Sequence, residues 1–451
     1  MIKLKSLQAI LCLFILLVIG CNQVPEPPSW EKIGCKTNSS KIATNKPVTT
    51  NELMVYLDTS MSMQGYVALE HRTIFRQTLQ ILDEVSSILE PRVKTSVCYV
   101  SSGVSAAYDS TQLLSASVNR ELYVGTETNL NAAIESFATN KARFQVLLTD
   151  GVQSLRNSSA DTTRERTINK RMRDLIENGW GACVIGIRSQ FNGRIFSEVR
   201  PNVRQVYRSG EDVESYRPFY LYIFSPDAVA LDQLVEKFIK KLLEAGIKKE
   251  LINELALTSN YVKSEALAEV NIKGGHRANN NKMCYTLRID PKVGTDQKTI
   301  EIKNIPWSSH ALNVANTKDP SEMLIWEIIS TYPSKPVSGA RYPKVTLLKR
   351  DEQSTTKLEA NTEQSDSISL NLEWSSMSGR VEWSGYKLIG RLNLEKSVPL
   401  WVKDWSTDND AEVENANKTL FIKNTLSDLW NNSTLKAEPI VEIYLRIGSK
   451  E

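Results

Sequence analysis

Histidine is scarce in this 451-residue chain. His71, His276 and His310 are the only three, and none lies near another or near a candidate Cys or Ser. A Ser-His-Asp triad and a histidine-rich zinc centre therefore have little support. The six cysteines form no CxxC and no paired spacing, which argues against a zinc ribbon or a redox motif. No GxxxxGKS/T pattern follows a strand-like run, so Gly274-Gly275 does not belong to a phosphate loop. Charge of one sign is also missing. Lys and Arg number 55 against 52 Asp and Glu, a formal net charge of +3, and the basic face expected of a nucleic-acid binder is not evident. There is no internal repeat, and no apolar run reaches the roughly 20 residues that cross a bilayer. What remains is ordinary globular material, 41% hydrophobic and 24% charged, long enough for two or three domains.

The longest apolar run is "AILCLFILLVIG", twelve residues preceded by "MIKLKSLQ" with Lys3 and Lys5. That order of charge and short apolar core is the pattern of an export signal. The run ends in Val18-Ile19-Gly20-Cys21, which resembles the lipobox of bacterial lipoprotein precursors. The resemblance implies a signal peptide over 1–20 and cleavage before Cys21. It also implies lipidation of Cys21 by a thioether-linked diacylglycerol, usually with an N-acyl chain. Several acyl chains anchor stably where one gives marginal binding. The alternative is an ordinary signal peptide that contains a cysteine. On the lipoprotein reading the chain is a lipid-anchored protein of the bacterial cell envelope, periplasmic or surface-exposed, with the bilayer as one partner. Residues 21–50 are rich in Pro, Ser, Thr and Asn without a sustained period and read as a flexible tether. Fully extended, residues 22–50 reach on the order of 100 Å. Cys98 and Cys183 sit in apolar, strand-like runs and read as buried free thiols.

From Glu52 the pattern becomes periodic. "ELMVYLD", "KTSVCYVSS", "RFQVLLTDG", "GACVIGIRS" and "RPFYLYIFS" are strand-length apolar runs. Helical stretches fall between them: Phe75, Leu79, Leu82, Val85 and Leu89 recur at three and four and stop at Pro91, and "RERTINKRMRDLIENG" stops at Gly179. After the last of these strands, a helix is expected with Ser225 as N-cap, Pro226 at its first position and Gly246 beyond its end. Continuous apolar strands alternating with helices predict an α/β fold over 51–247, a doubly wound, mostly parallel sheet flanked by helices. Residues 255–451 carry short alternating or β-branched segments separated by polar turns. This predicts a β-rich C-terminal domain, with a sandwich as the favoured form, interrupted by one short helix near "TLSDLWNN".

Three loops at the expected carboxyl ends of the sheet carry oxygen donors, where a doubly wound sheet forms its binding crevice. "LDTSMS" supplies Asp58, Ser60 and Ser62, "GTETNLNAAI" supplies Thr128, and "VLLTDG" supplies Asp150. Taken in series, they resemble the von Willebrand factor type A domain, a Rossmann-like fold, and its metal-ion-dependent adhesion site. The family's Asp-x-Ser-x-Ser falls on Asp58, Ser60 and Ser62; its threonine falls on Thr128, by the register of "TNLNAAI"; and its last acid falls on Asp150 of "TDG". Two features depart from the pattern. Met61 stands where a small residue is common, and the run from Gln190 to Tyr216 is long and irregular.

The resemblance implies a Mg²⁺ site that could also take Mn²⁺ or Ca²⁺. Ser60 and Ser62 would bind directly, Thr128 directly or through water, and Asp58 and Asp150 mainly through waters. Hydroxyl ligands leave much of the ion's charge unneutralised, so an Asp or Glu carboxylate of a protein partner can complete the octahedron. The expected function is adhesion-like recognition of such a partner, not catalysis. Two other readings stay open: a structural subunit of an envelope complex, and a domain that positions a carbohydrate-binding or hydrolytic β-rich module. For the last, Asp404, Asp408 and Asp410 with Trp401 and Trp405 are the candidate cluster, against a plain acidic turn.

Overall fold

Runs such as Leu53-Met54-Val55-Tyr56-Leu57 have no polar face, so the strand they form needs cover on both sides. The computed structural model describes residues 27–35, 50–69, 72–152, 161–178, 180–200, 203–257, 269–272, 276–277, 284–289, 295–303, 324–333, 345–348, 368–375, 383–392, 398–434 and 441–449. Cys21, proposed above as the lipidated residue, lies outside them. A short helix α1 (Trp30–Ile33) precedes β1 (Thr50–Asp58), α2 (Ile74–Ile88), β2 (Lys94–Val100), β3 (Tyr108–Asp109), α3 (Ser110–Ala116), α4 (Leu130–Thr139) and β4 (Ala142–Thr149). Then come α5 (Asp161–Glu177), β5 (Gly181–Ser189), the hairpin β6 (Asn192–Phe196) and β7 (Arg204–Arg208), β8 (Arg217–Ser225), α6 (Ala228–Glu244) and β9 (Ile252–Ala256).

Seven of these strands form one sheet, in the order β3-β2-β1-β4-β8-β5-β9. Their side chains alternate between two cores. Leu53, Val55 and Leu57 join Phe144, Val146 and Ile185 under α2 and α6, which contribute Phe75, Leu79, Leu82, Leu231, Leu234 and Phe238. Met54 and Tyr56 join Leu147, Val184 and Tyr222 under α4 and α5, which contribute Ile134, Phe137, Ile168 and Met172. The helix predicted over Phe75–Leu89 is therefore α2, with the Thr73 hydroxyl accepting from the Arg76 amide as its N-cap. The helix predicted after the last strand begins two residues later than expected. Asp227 is its cap, accepting from the Ala230 amide, while the Ser225 hydroxyl donates to the Arg143 carbonyl. Gly246 ends it in the left-handed region at φ +84°.

The sheet is mixed, which corrects the mostly parallel expectation. β1 pairs parallel with β2 and with β4. β8, however, runs antiparallel between β4 and β5, and β3 and β9 are antiparallel edges. The cause is the absence of a crossover. A parallel neighbour needs a connection that travels back along the sheet, usually a helix. Residues 190–216 instead form the β6–β7 hairpin and return at the same edge, so Ser189 pairs with Arg217. β9, from "INELA", also extends the α/β unit past residue 247, to Ala256.

The β-rich region contains β10 (Glu269–Ile272), β11 (His276–Arg277), β12 (Cys284–Ile289), β13 (Thr295–Lys303), β14 (Leu324–Tyr332), β15 (Val345–Leu348), β16 (Ile368–Ser375), β17 (Ser384–Leu392) and β20 (Val441–Ser449). They form two sheets, β10-β13-β16-β15 and β11-β12-β20-β17-β14. Val270, Ile272, Ile300 and Ile302 of the first share a core with Tyr285, Leu287, Leu388, Ile443 and Leu445 of the second.

Two excursions tie this region to the rest of the chain. Residues 27–35 were expected to be part of a free tether, but α1 packs on β14, β17 and β20 and a disulfide joins Cys35 to Cys284. Ile33 is buried there, and the Arg446 guanidinium lies 4.4 Å from the Trp30 ring centroid. An apolar Ile33, a Trp and a Cys in so short a segment explain the docking. Cys98 and Cys183 are buried and unbridged. The second excursion lies between β17 and β20: α7 (Leu400–Asp404), β18 (Ser406–Thr407), β19 (Thr419–Leu420) and α8 (Ile422–Thr434). α8 packs on α5, and Trp405, 5% exposed, covers Gly186 of β5, where any Cβ would come within 2.8 Å of its ring. Arg188 lies over the same ring at 5.0 Å. Trp401 meets Trp405 edge to face at 5.2 Å. Asp410 is buried, accepting from Ser197 Oγ and the Glu198 amide, whereas Asp404 and Asp408 are exposed. This cluster is thus an internal seam between the insert and the α/β unit.

Among the described residues no helix is long and apolar enough to cross a membrane. Trp405→Ala removes a large ring from a closed seam, and the expected loss in unfolding free energy is about 3–5 kcal/mol. Urea titration followed by tryptophan fluorescence measures it, and a loss within 0.5 kcal/mol would mean that the insert does not depend on this ring.

Candidate functional site

β1 connects through α2 to β2 on one side, whereas β4 lies on its other side, so the strand order reverses between β1 and β4. Asp58 ends β1 and Asp150 follows β4, which places both acids at that switch point.

Asp58 is fully buried, and both of its oxygens are occupied. Oδ1 accepts from the Ser60 amide at 2.9 Å and Oδ2 accepts from the Thr149 hydroxyl at 2.7 Å. The first bond curls the chain so that Ser60 and Ser62 come together, their Oγ atoms 3.0 Å apart. Thr149 Oγ1 also accepts from the Gly151 amide at 3.1 Å. It therefore links the two acidic loops, a role that the sequence motif did not point to. Gly151 has φ +83°, the left-handed conformation that glycine accepts without strain. The turn is closed by the Val152 amide donating to Asp150 Oδ1 at 3.2 Å.

The third loop is stitched onto the first. The Gly125 amide donates to the Thr59 carbonyl at 3.0 Å, the Met61 amide donates to the Gly125 carbonyl at 2.8 Å, and the Asn129 amide donates to the Ser101 carbonyl at 2.7 Å. A Cβ at Gly125 would stand 3.0 Å from the Ser101 Cβ and 3.1 Å from the Thr59 carbonyl, so a larger residue would push these neighbours apart. Thr128 lies between these stitches, 1% exposed, one residue before Asn129, which caps α4 by accepting from the Ala132 amide. The sequence-derived residues are thus distributed as follows. Asp58, Ser60 and Ser62 are joined by hydrogen bonds, Asp150 is joined to Asp58 through Thr149, and Thr128 sits on the loop clasped to Thr59 and Met61.

Burial raises the Asp58 pKa to about 7, with the nearby Asp150 charge adding to it, and the Ser60 and Thr149 donors only partly offset the rise. Asp150 Oδ2 is buried without a hydrogen-bond partner. The nearest opposite charge is Arg217, whose Nη2 is 3.8 Å away. Thr419 from the insert reaches the same turn, its hydroxyl 3.4 Å from the Asp150 carbonyl and accepting from Tyr220 Oη at 3.1 Å.

This donor set fits a hard divalent cation. Adjacent ligands of an octahedron with bonds of 2.0–2.1 Å stand about 2.9 Å apart, close to the Ser60–Ser62 separation of 3.0 Å, which serves equally as a hydrogen bond between them. A buried carboxylate oxygen without a donor calls for a further partner, such as a water or an ion. Among the described residues no three His, Cys, Asp or Glu side chains cluster as a metal-holding group. No family model matches the chain, and no curated protein or solved structure does either. The fold and the site together define a class: a mixed α/β unit with an acid-and-hydroxyl site at its switch point, joined to a β-rich region.

A carboxyl that binds its proton more tightly folded than unfolded favours folding only while it is protonated. In cation-free protein the Asp58 contribution should therefore fall as pH rises from about 4 to about 7, by roughly 1 kcal/mol per pH unit, and then level off. Asp58→Asn should lack this decline. Chemical denaturation at pH 4.5, 6 and 7.5 in chelator compares the two proteins, and parallel stability profiles would contradict the assigned environment of Asp58.

Proposed function

We propose that the α/β unit is a von Willebrand factor type A-like domain, carried on a lipid-anchored envelope protein, that recognises a protein partner through Mg²⁺. The observation that carries this reading is the pair of Ser60 and Ser62 hydroxyls at adjacent-ligand spacing, beside two buried acids of which one oxygen lacks a donor. Mn²⁺ or Ca²⁺ would meet the same oxygen donors. Ser60 and Ser62 would hold the ion directly and Thr128 would complete their side of it. Asp58, fixed by the Ser60 amide and Thr149, would orient the serine loop, while Asp150 would accept from a coordinated water. A bound divalent ion supplies the Lewis acidity that attracts an Asp or Glu carboxylate from the partner. The half-exposed Ser62 lies on the accessible side of the site.

The envelope reading draws support from the Cys35–Cys284 bridge, since such bonds form and persist in oxidising compartments. The mixed sheet departs from the mostly parallel one that the resemblance implies. The switch point formed by the parallel β2-β1-β4 segment is the part on which the site depends.

Millimolar Mg²⁺ or Mn²⁺ should raise the melting temperature of the wild type by several degrees, as any ligand specific to the folded state does. Asp58→Ala and a Ser60→Ala/Ser62→Ala double variant should lose that rise while keeping a cooperative transition. A wild-type melting curve indifferent to both ions would remove the cation from the proposal.

A further inference from the structure

A guanidinium buried beside a candidate cation site has a consequence for what that site can attract. Arg217 is 4% exposed and opens β8, the strand inserted antiparallel between β4 and β5. Its Nη2 stands 3.8 Å from Asp150 Oδ2 but forms no hydrogen bond with it. Its Nη1 is committed elsewhere, donating to the carbonyls of Ala416 at 2.7 Å and Lys418 at 3.3 Å in the insert. The Phe191 ring lies 5.5 Å from the guanidinium carbon. Arg217 therefore offers Asp150 charge without saturating its oxygen, and it connects that charge to a loop from the second region of the chain.

We propose that Arg217 is the charge-setting residue of the site: it weakens the hold on the cation, strengthens the bound cation's attraction for an acidic ligand, and couples occupancy to the docking of residues 416–419. The inference rests on the cation reading above. Two ionised carboxylates alone would neutralise a divalent ion. With both acids ionised by the bound cation, the buried guanidinium leaves the side-chain charge at −1, and the loaded site keeps a formal +1 that a partner's carboxylate can cancel. Coulomb interactions over such distances, away from bulk water, are large enough to reorder affinities. Coupling follows from the same geometry. A cation drawn to Asp150 repels the guanidinium that holds the Ala416 and Lys418 carbonyls. By linkage, whatever loosens that loop favours the cation by the same factor.

The test uses full-length protein and two probes, Mg²⁺ by calorimetric titration and acetate added to the Mg²⁺-saturated protein. Arg217→Met should bind Mg²⁺ about tenfold more tightly, within the usual range of coupling between sites. It should bind acetate correspondingly more weakly. Arg217→Lys, which keeps the charge and loses the fork, should stay near the wild type in both. Equal Mg²⁺ affinity in wild type and Arg217→Met, or tightening in both variants alike, would overturn the charge assignment while leaving the cation site standing. If neither wild type nor variant takes up Mg²⁺, the cation reading itself fails and this inference with it. Hydrogen exchange on the wild type needs no variant to fold: Mg²⁺ should speed exchange of the amides of Ala416, Lys418 and Thr419. Unchanged protection in Mg²⁺-loaded protein would remove the coupling.

Discussion

A carboxyl group at the buried, apolar end of a strand, with no access to water, must find its hydrogen-bond partners within the protein, and the carboxyl edge of this sheet is organised around that requirement at Asp58. Both oxygens are met from different loops, one by the backbone of residue 60 and one by the side chain of residue 149. The first bond forces the chain into the turn that brings two hydroxyls side by side. The second makes the height of β4 relative to β1 part of the site, because Thr149 can reach Asp58 only when the parallel register puts Leu57 opposite Leu148. Sheet register and site geometry are therefore the same fact seen at two scales. Even after both bonds, burial and the neighbouring Asp150 leave Asp58 reluctant to ionise.

β8 supplies the second organising element. Because it returns antiparallel, its first residues arrive at the same edge as the ends of β1 and β4. That brings Arg217 to Asp150 and the Pro218 carbonyl to the Tyr66 hydroxyl at 2.5 Å. Tyr66 in turn contacts the rings of Phe75, Phe191 and Phe219, with centroids between 5.0 and 5.6 Å apart. This aromatic cluster underlies the serine loop and limits its movement. The large rings pack edge to face or offset, as quadrupoles prefer. Gly193 and Gly65 make room for it, since a Cβ on Gly193 would meet the Gly65 Cα at 2.6 Å. The hairpin that replaces a crossover helix thus packs directly against the serine loop.

Much of this architecture is legible in the sequence. The period of Phe75, Leu79, Leu82 and Val85 gave α2, and the apolar runs gave the strands, because helix and strand periods are properties of sequence alone. Two of the three acid-and-hydroxyl loops could be placed at strand ends for the same reason, whereas the Thr128 loop, also expected there, instead joins α3 to α4. Strand direction could not. "RPFYLYIFS" reads the same whether it runs up or down the sheet, and only the missing crossover over 190–216 decides it. Arg217 was hidden for that reason: in a parallel β8 its start would lie at the opposite edge from Asp150. Thr149 was hidden differently, as one hydroxyl among many before an aspartate. Cys35 and Cys284 are 249 residues apart, and no spacing rule joins cysteines that only tertiary folding brings to a Cα–Cα distance of 6.5 Å. The tryptophans near residue 400 were ambiguous because an aromatic-rich acidic turn has the same composition whether it faces a sugar or a neighbouring sheet.

The two excursions of the chain bear on how a tethered version of this molecule would carry load. If Cys21 holds the lipid, the anchor lies seven residues before Pro28, whose carbonyl accepts from Arg446 Nη1. The docked segment 27–35 and its disulfide then pass any pull into the five-stranded sheet, ahead of the fourteen residues, 36–49, that lead to β1. A pull at Cys21 would then meet the second region before it meets β1. The insert between β17 and β20 is the obvious conduit, because α8 grips α5 and the Ala416–Thr419 loop grips Arg217 and the Asp150 turn.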